Sequence, residues 1–583
     1  MPHDLLKVVD WKRHTDRRRI RELLPKDVRE GFRVICKAMD GRVEERSFED
    51  ILRGHQSTDG FWERTWAFAD RLAAASARLR LEYDYWYGGQ SDPFFVSVYG
   101  DIVIWDKEKR EALWRRIVDV FLRYCKMNKS QRAFEEVNEL LGKFPADSRF
   151  PFVSLKTHHW LTQAINVNRL FWEKCVKEGK NVVFDRLYLL RVSLPESCFH
   201  RLKELRRFRA LCSKALQKVV DGLSERKPLK IGDDVYLIVL GEEEIDKVRR
   251  FLLGCGFGFD VEVFEWRVER KLTKTRFDGK AELNFLITDF NKFSFSVGAF
   301  EDWEPKLEKA AEWADILESE CKFVAWIRLK PVLDAMGLVD VEKLIGEFLD
   351  WGESELFNRF GSKRIELKEK VLQKITLCPE ILVSVVEGYY EFLKDCVSAV
   401  SRKVSNYGII TLSFGESLLV CGVDDFSEAF DVYCGLLDLE SRLHVGGAVA
   451  LSMVVSKPKY PFWRVLEVLS VGRSVLALVE GDKMVSLDKD DVSLVRSVKP
   501  SIRAAPRSQF HEIINYSRRA GIEELKLFIE GKGASSKIPF RASKALCGLI
   551  DKFARKYEGK KLKDVVYRSL KLLEPFTKKG GRG

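Results

Sequence analysis

The sequence has few of the residues that would cross-link a fold through disulfides or zinc. Its 583 residues include 12 cysteines, scattered from Cys36 to Cys547, and no two of them form a Cys-x-x-Cys pair. Zinc knuckles need such closely spaced pairs, and small secreted proteins need a regular disulfide framework. The cysteine pattern therefore argues against both classes, and we expect the cysteines to be small buried apolar residues.

Long apolar runs are absent as well. No run reaches the ~18 residues of a membrane-spanning helix, and the basic first twenty residues are not followed by the apolar stretch of a secretory signal. A phosphate-binding loop is also missing, because residues 254–258 lack the Lys-Ser/Thr ending and the strand-to-helix placement of such loops. We expect a cytoplasmic protein with no membrane partner.

The composition, 46% hydrophobic and 32% charged, is that of a globular protein. Its length predicts about three to five domains of ~100–200 residues each. The net charge of +12 is uneven, because residues 541–583 contain 13 Lys and Arg against 4 Asp and Glu, a net +9. This excess suits an anionic partner such as nucleic acid, or a solvated helix surface. The candidate nucleic-acid contacts are Lys552, Arg555, Lys556, Lys560, Lys561 and Lys563.

Histidine is scarce, yet 5 of the 8 histidines lie within the first 159 residues. The segment His3-Asp4-Leu-Leu-Lys7 contains the His-Asp-x-x-Lys pattern of HD metal-dependent phosphohydrolases. Imidazoles and carboxylates are ligands for borderline divalent metals, and two such ions can activate water and bind a phosphodiester. A chance surface cluster is the alternative. The other candidates are His14, His55, Asp70, His158 and His159.

The spacing of apolar residues predicts a mainly helical N-terminal region. Helical spacing covers residues 47–55 and 61–80, and a two-proline connection at 144–151 leads into a helix that holds His158 and His159. From about residue 508 to the end, the chain again has a helical pattern and is basic.

Between these regions the pattern of a strand–helix–strand–helix unit occurs twice. The first copy has strands at 186–194 and 234–240 and helices at about 197–220 and 242–253. The second copy is predicted as strands at 322–329, 408–414, 417–421 and 446–455 with helices at 380–404 and from about 425. Both suit a ferredoxin-like βαββαβ sandwich.

We therefore predict a multidomain α+β protein. The predicted domains are an all-helical N-terminal domain at 1–178, two ferredoxin-like domains at 179–310 and 311–505, and a basic C-terminal helical bundle at 506–583.

Four motifs, taken in order, extend over most of the chain. They are Ala67-Phe-Ala-Asp70-Arg71-Leu-Ala-Ala-Ala-Ser-Ala-Arg78, Pro93-Phe-Phe-Val-Ser-Val-Tyr-Gly100, Pro145-Ala-Asp-Ser-Arg-Phe-Pro151 with the following Ser154-Leu-Lys-Thr-His158, and Lys459-Tyr-Pro-Phe462. With the predicted domain order, they resemble the large signature subunit of type III CRISPR effector complexes. That family joins an HD nuclease domain, two palm domains and a C-terminal helical domain.

The resemblance implies a circularly permuted HD site, because the His-Asp pair comes first and the lone histidine comes from a late helix. It implies that Asp4 bridges two ions, that His3, Asp70 and His158 complete the shell of one ion, and that His14 and His55 bind the second. Lys7 would steady the phosphate or the transition state. Adjacent helical residues point about 100° apart, so only one of His158 and His159 can face the site. The implied metals are Mn, Ni, Co or Fe.

The same resemblance implies a palm that is inactive as a nucleotidyl cyclase. Active members carry an acidic Gly-Gly-Asp-Asp turn, whereas the corresponding hairpin here has Gly415, Glu416 and Ser417, and the first strand ends near Lys330 and Val332. The first copy has Ser193 near the matching position. Residues 422–425, Gly-Val-Asp-Asp, lie after the second hairpin strand, where an aspartate is expected to cap a helix.

The sequence itself predicts a metal-dependent phosphodiesterase, and the resemblance implies an RNA-guided interference subunit with an HD-type single-stranded DNA nuclease. Its implied partners are a crRNA, the target RNA, and small and backbone Cas subunits. Because His3 follows only two residues here, a vestigial site in a non-catalytic scaffold is one alternative. A stand-alone HD phosphohydrolase is another.

Overall fold

A computed structural model describes most of the chain. The described residues are 4–9, 17–37, 42–54, 60–75, 93–96, 102–125, 130–147, 150–195, 205–274, 281–298, 321–331, 379–404, 407–411, 417–443, 449–458, 460, 462–469, 474–480 and 483–577. The predicted site residues His3, His14, His55, Gly415 and Glu416, together with Val332, lie outside these ranges.

The N-terminal region is mainly helical. A short 3₁₀ turn at Leu5–Val8 precedes its helices. They are α1 (Arg17–Leu23), α2 (Lys26–Gly31), α3 (Phe48–Gly54), α4 (Phe61–Ala73), α5 (Lys107–Cys125), α6 (Ser130–Leu140), α7 (Leu155–Asn166) and α8 (Arg169–Glu178).

The expectation of an all-helical N-terminal region is wrong, because three antiparallel strand pairs lie between these helices. They are β1–β2 (Arg33–Lys37, Val43–Ser47), β3–β4 (Phe94–Val96, Ile102–Ile104) and β5–β6 (Pro145–Asp147, Phe150–Ser154). Pro145 and Pro151 explain the last pair, since proline disfavours a helix interior and is tolerated in edge strands. These strands bring Ser154 to the start of α7. The Ser154 side chain caps this helix by accepting a hydrogen bond from Thr157 N at 3.1 Å.

The first central sheet has the order β11-β10-β7-β9-β8. Its β7, β9, β8 and β10 pair antiparallel, and the connections through two helices give the βαββαβ order 4-1-3-2. The elements are β7 (Arg186–Ser193), α9 (Leu205–Gly222), β8 (Leu229–Ile231), β9 (Asp234–Val239), α10 (Glu242–Gly254), β10 (Phe259–Lys274) and β11 (Ala281–Val297).

The second central sheet repeats this connectivity. Its order is β13-β14-β12-β15-β16-β17, with β16 added in parallel to β15. The elements are β12 (Phe323–Pro331), α11 (Pro379–Ser401), β13 (Tyr407–Thr411), β14 (Ser417–Val423), α12 (Phe426–Glu440), β15 (Val449–Ser456), α13 (Phe462–Leu469), β16 (Val475–Glu480) and β17 (Lys483–Asp488).

Helices alone form the C-terminal part. They are α14 (Lys489–Ile502), α15 (Arg507–Ser517), α16 (Ile522–Ala534), α17 (Phe540–Lys556) and α18 (Gly559–Leu573). The mixed α+β class and the helical C-terminus are therefore confirmed. None of the helices in the described ranges combines the length and apolar character that crossing a membrane requires.

Alternation along the strands divides the interior into two apolar cores. On β7, Leu187 and Leu189 belong to a core shared with the N-terminal helices and α11, whereas Leu190 and Val192 pack in a second core with α9 and α10. Such division follows from the two-residue period of a strand covered on both faces. Of the nine cysteines whose side chains are described, seven are buried and none is in a disulfide, as expected.

Candidate metal centre

The first ligand, Asp4, lies at the start of the 3₁₀ turn near the N-terminus. Leu5, Leu6 and Val8 of this turn are fully buried in the N-terminal core, which anchors it. Asp4 itself is only 1% exposed. Its side chain forms no hydrogen bond that caps the turn and is instead directed at other partners.

The second ligand, Asp70, is on α4. This helix buries a face that includes Phe68, Ala69, Leu72 and Ala73, and Asp70 is at the edge of that face with its side chain 14% exposed. Helical periodicity therefore holds the carboxylate next to the core without enclosing it completely.

The third ligand, His158, connects these carboxylates. Its Nε2 atom is 2.9 Å from Asp70 Oδ1 and 4.0 Å from Asp4 Oδ2. On the other side of the ring, Nδ1 donates to Glu380 Oε1 at 2.8 Å. One oxygen each of Asp4 and Asp70 and one nitrogen of His158 lie within 4.8 Å of one another.

His159 does not belong to this group, but it contacts the backbone of Asp4. Its Nε2 accepts a hydrogen bond from the backbone N–H of Asp4 at 3.4 Å, and its Nδ1 is 3.0 Å from Asn138 Oδ1. Of the two adjacent histidines, only His158 offers a nitrogen to this group. His159 holds the backbone of Asp4 in place.

Lys7 forms an ion pair with Asp4 Oδ2, and its ammonium is also 3.4 Å from the carbonyl oxygen of Ala146. The Lys7 side chain is 15% exposed. Lys7 therefore lies at the rim of the site, next to the carboxylate that the HD motif makes central.

The donor set fits a divalent metal ion. Two carboxylates and an imidazole suit borderline ions such as Mn²⁺, Co²⁺ or Fe²⁺. Asp4, Asp70 and Glu380 carry three negative charges against one positive charge on Lys7, so with a neutral His158 these side chains sum to −2. One divalent ion would neutralise that charge. In the described ranges there is no second group of His, Cys, Asp or Glu side chains close enough to hold a metal.

The carboxylates on both sides of His158 favour its protonated form. Burial by itself lowers the pKa of the imidazole, but hydrogen bonds with Asp70 and Glu380, and their negative charges, outweigh it and raise the pKa to about 10. A buried cation is tolerated here because carboxylates lie on both sides of the ring. A metal that binds Nε2 must therefore displace a proton.

The predicted site residues are only partly brought together. Asp4, Lys7, Asp70 and His158 meet, although they are spread over more than 150 positions of sequence. Glu380 was missed, because it joins from 222 residues beyond His158 and stands at the start of an ordinary helix. No local pattern in the sequence marks it.

A second arrangement that the sequence analysis missed is at the β8–β9 hairpin. The turn is Gly232-Asp233, with Gly232 at φ 60°, followed by Asp234. Asp234 is fully buried, 3.6 Å from the Arg191 guanidinium, and accepts a hydrogen bond from Tyr390 Oη at 3.1 Å. Arg191 also pairs with Glu262 at 3.0 Å. The guanidinium of Arg191, on the interior strand β7, therefore pairs with the carboxylates beside this hairpin.

In the second sheet, the β13–β14 hairpin lies beside the end of β12, where Leu329 is in register with Ser417. Ser417 is fully buried and Lys330 is exposed. Asp425 caps α12 by accepting a hydrogen bond from Glu428 N at 3.0 Å. The capping role of an aspartate at this position is therefore confirmed, whereas the expectation that Gly422 and Val423 follow the strand is wrong, because they are its last two residues.

The C-terminal basic residues divide into two kinds. Lys556 forms ion pairs with Asp488, Asp490 and Asp491, and Tyr557 donates to the buried Asp491 at 3.0 Å. Lys556 therefore joins α17 to the start of α14. The other five predicted contacts are exposed, and within the described ranges none of them is in an ion pair: Lys552, Arg555, Lys560, Lys561 and Lys563.

Comparison with protein-family models finds none that matches this chain, and comparison with curated proteins finds no significant match.

We predict that metal binding releases a proton. His158 has its pKa raised to about 10, so it is protonated across the neutral range and its proton competes with the metal. Apparent Mn²⁺ affinity should rise by up to roughly tenfold per pH unit between about pH 6 and 8. Calorimetry in buffers of different ionisation enthalpy should count about one proton released per ion. An affinity that does not change with pH would contradict this protonation state.

Proposed function

We propose that this chain is the large subunit of a type III CRISPR RNA-guided interference complex, and that its N-terminal region is an HD-type metal-dependent nuclease for single-stranded DNA. The observation that carries the proposal is the meeting of Asp4, Asp70 and His158 in one buried group. The resemblance to the family with a permuted HD motif implies these three residues as metal ligands.

Each residue has a role in this proposal. Asp4, Asp70 and His158 would hold the metal, which when bound supplies a water nucleophile and stabilises charge on the phosphodiester. Lys7 is beside Asp4 at the rim, where its ammonium can contact a phosphate oxygen. His159 and Glu380 orient the backbone of Asp4 and the ring of His158.

The order of structural units supports the assignment to a CRISPR subunit. A mainly helical region with the candidate site is followed by two sheets of repeated βαββαβ connectivity and then by helices alone. We propose that the two sheets are the palm domains, that the four domains have the bounds predicted from the sequence, and that the protein works in the cytoplasm with crRNA and other Cas subunits.

The alternative proposal is a non-catalytic scaffold of the same complex. The ion pair between Lys7 and Asp4 favours it, because an ammonium paired with the Asp4 carboxylate opposes metal binding there. A stand-alone HD phosphohydrolase leaves the two sheets and the basic helices without a role. Metal content under metal-replete conditions separates nuclease from scaffold.

We predict that cleavage of single-stranded DNA with Mn²⁺ requires Asp4. Asp4→Asn keeps the side-chain size but removes the charge of the ligand, and should lower the rate by about 100-fold or more, since changes outside the ligand shell already reach 10- to 100-fold. Asp119→Asn, an exposed change on α5, is the matched control and should cleave normally. Equal cleavage by the Asp4→Asn and wild-type proteins would refute the nuclease proposal.

We predict that ATP is not converted to cyclic oligoadenylates. Ser417 is buried and Lys330 lies close by at the end of β12, so the described part of this edge offers no group of acidic side chains for Mg²⁺. Chromatography of reactions with ATP and Mg²⁺ or Mn²⁺ should show no cyclic product. Products that disappear on Glu416→Ala would show an active hairpin.

We predict that the exposed basic residues of α17 and α18 bind RNA. Replacing Lys552, Arg555, Lys560 and Lys563 with Gln should weaken RNA binding and flatten its log–log salt dependence by up to roughly 0.7 for each phosphate that the variant no longer neutralises. Lys556→Gln is the control, because Lys556 is ion-paired; it should lower thermal stability and leave the salt slope unchanged. An unchanged salt slope in the fourfold variant would contradict RNA binding and would indicate that these residues form a solvated surface.

A further inference from the structure

Glu380 is the second residue of α11 and is completely buried. Its Oε1 accepts the hydrogen bond from His158 Nδ1 at 2.8 Å, while His158 Nε2 faces Asp70 and Asp4. Glu380 is therefore on the side of the imidazole ring opposite the candidate metal ligands. Its described contact with the ligand group runs through the imidazole ring.

A carboxylate in this position has a defined physical effect on a metal-binding histidine. By accepting the Nδ1–H hydrogen bond, it selects the tautomer that leaves Nε2 free for the metal, holds the ring plane, and makes Nε2 more basic. Such partners typically change metal affinity by about 10- to 100-fold.

The position of Glu380 is set by contacts that α11 makes with three parts of the fold. Glu387, two turns further on, accepts a hydrogen bond from Thr157 Oγ1 at 3.0 Å, which holds α11 against α7. Tyr389 Oη donates to the carbonyl oxygen of Leu329 on β12 at 2.8 Å. Tyr390 Oη donates to Asp234 on β9 at 3.1 Å. Both central sheets therefore determine where the helix lies.

We propose that Glu380 is a positioning residue for His158, through which metal binding by Asp4, Asp70 and His158 depends on the placement of α11. This inference rests on the metal site of the proposed function. It ties the geometry of that site to the two central sheets, because both of them hold α11, and with it Glu380, in place.

The experiment compares metal binding by full-length wild-type protein with that of Glu380→Gln. The glutamine amide oxygen can still accept the Nδ1–H hydrogen bond, so the size of the buried side chain is kept while its charge is removed. Mn²⁺ affinity, corrected for the competing proton on His158, should fall about 10-fold for Glu380→Gln and about 100-fold for Glu380→Ala. The visible absorption of bound Co²⁺ should shift as well, because the ring of His158 is held differently.

The matched control is Glu391→Gln on the same helix. Glu391 forms an exposed ion pair with Lys143 at 3.7 Å and does not contact the candidate ligands in the described structure. The Mn²⁺ affinity and Co²⁺ spectrum of the Glu391→Gln protein should therefore equal those of wild type.

A measurement on the unmutated protein covers the case in which the Glu380 variants do not fold. Nitrogen NMR of histidine-labelled wild-type protein with Zn²⁺ should show His158 metal-bound at Nε2 and protonated at Nδ1.

The outcomes separate this inference from the nuclease proposal. Wild-type affinity and spectrum in Glu380→Gln, or a metal on Nδ1 of His158, would overturn the role of Glu380. Wild-type protein that binds metal in the expected way but cleaves no DNA would refute the nuclease and leave the role of Glu380 intact. Wild-type protein that binds no Mn²⁺ or Co²⁺ would overturn both.

Discussion

Ionised groups buried around a single imidazole impose the constraint on which the N-terminal site depends. Asp4, Asp70 and Glu380 all approach His158, and a buried carboxylate without a partner would be strongly destabilising. Each carboxylate is therefore tolerated only when its positively charged or hydrogen-bonding partner, His158 or Lys7, is in place. The site therefore forms only when four elements pack together: the N-terminal turn, α4, α7 and α11. Its formation depends on contacts between residues that are far apart in the sequence.

Helix α11 extends this constraint from the site to the two sheets. Its apolar face is in the same core as the N-terminal helices, while its tyrosines donate to β9 and β12. A helix with polar contacts to three units has little freedom to move alone, because a displacement would break its buried hydrogen bonds together. The candidate site is thus built on an element that belongs, by connectivity, to the second sheet.

The two sheets share a connectivity, but the charged residues beside their hairpins are arranged differently. In the first, Arg191 is buried between Asp234 and Glu262, so the acidic hairpin is neutralised inside the protein. In the second, the described edge has the buried Ser417 beside the exposed Lys330. Neither arrangement leaves a group of three acidic side chains close enough to hold a metal ion in the described residues.

The family resemblance, not a local pattern, grouped Asp4 with Asp70 and His158, and the structure brings the three together. Local patterns were sufficient for most helices and strands and for the capping role of Asp425, because periodicity and capping are properties of neighbouring residues. They did not show the short strand pairs of the N-terminal region, whose few residues carry too little period to detect. Nor could they show Glu380 behind His158, the Arg191 partner of Asp234, or the ion pairs that remove Lys556 from the exposed basic surface. Those interactions join residues far apart in sequence, and only the packing of the folded chain decides which charges are buried together.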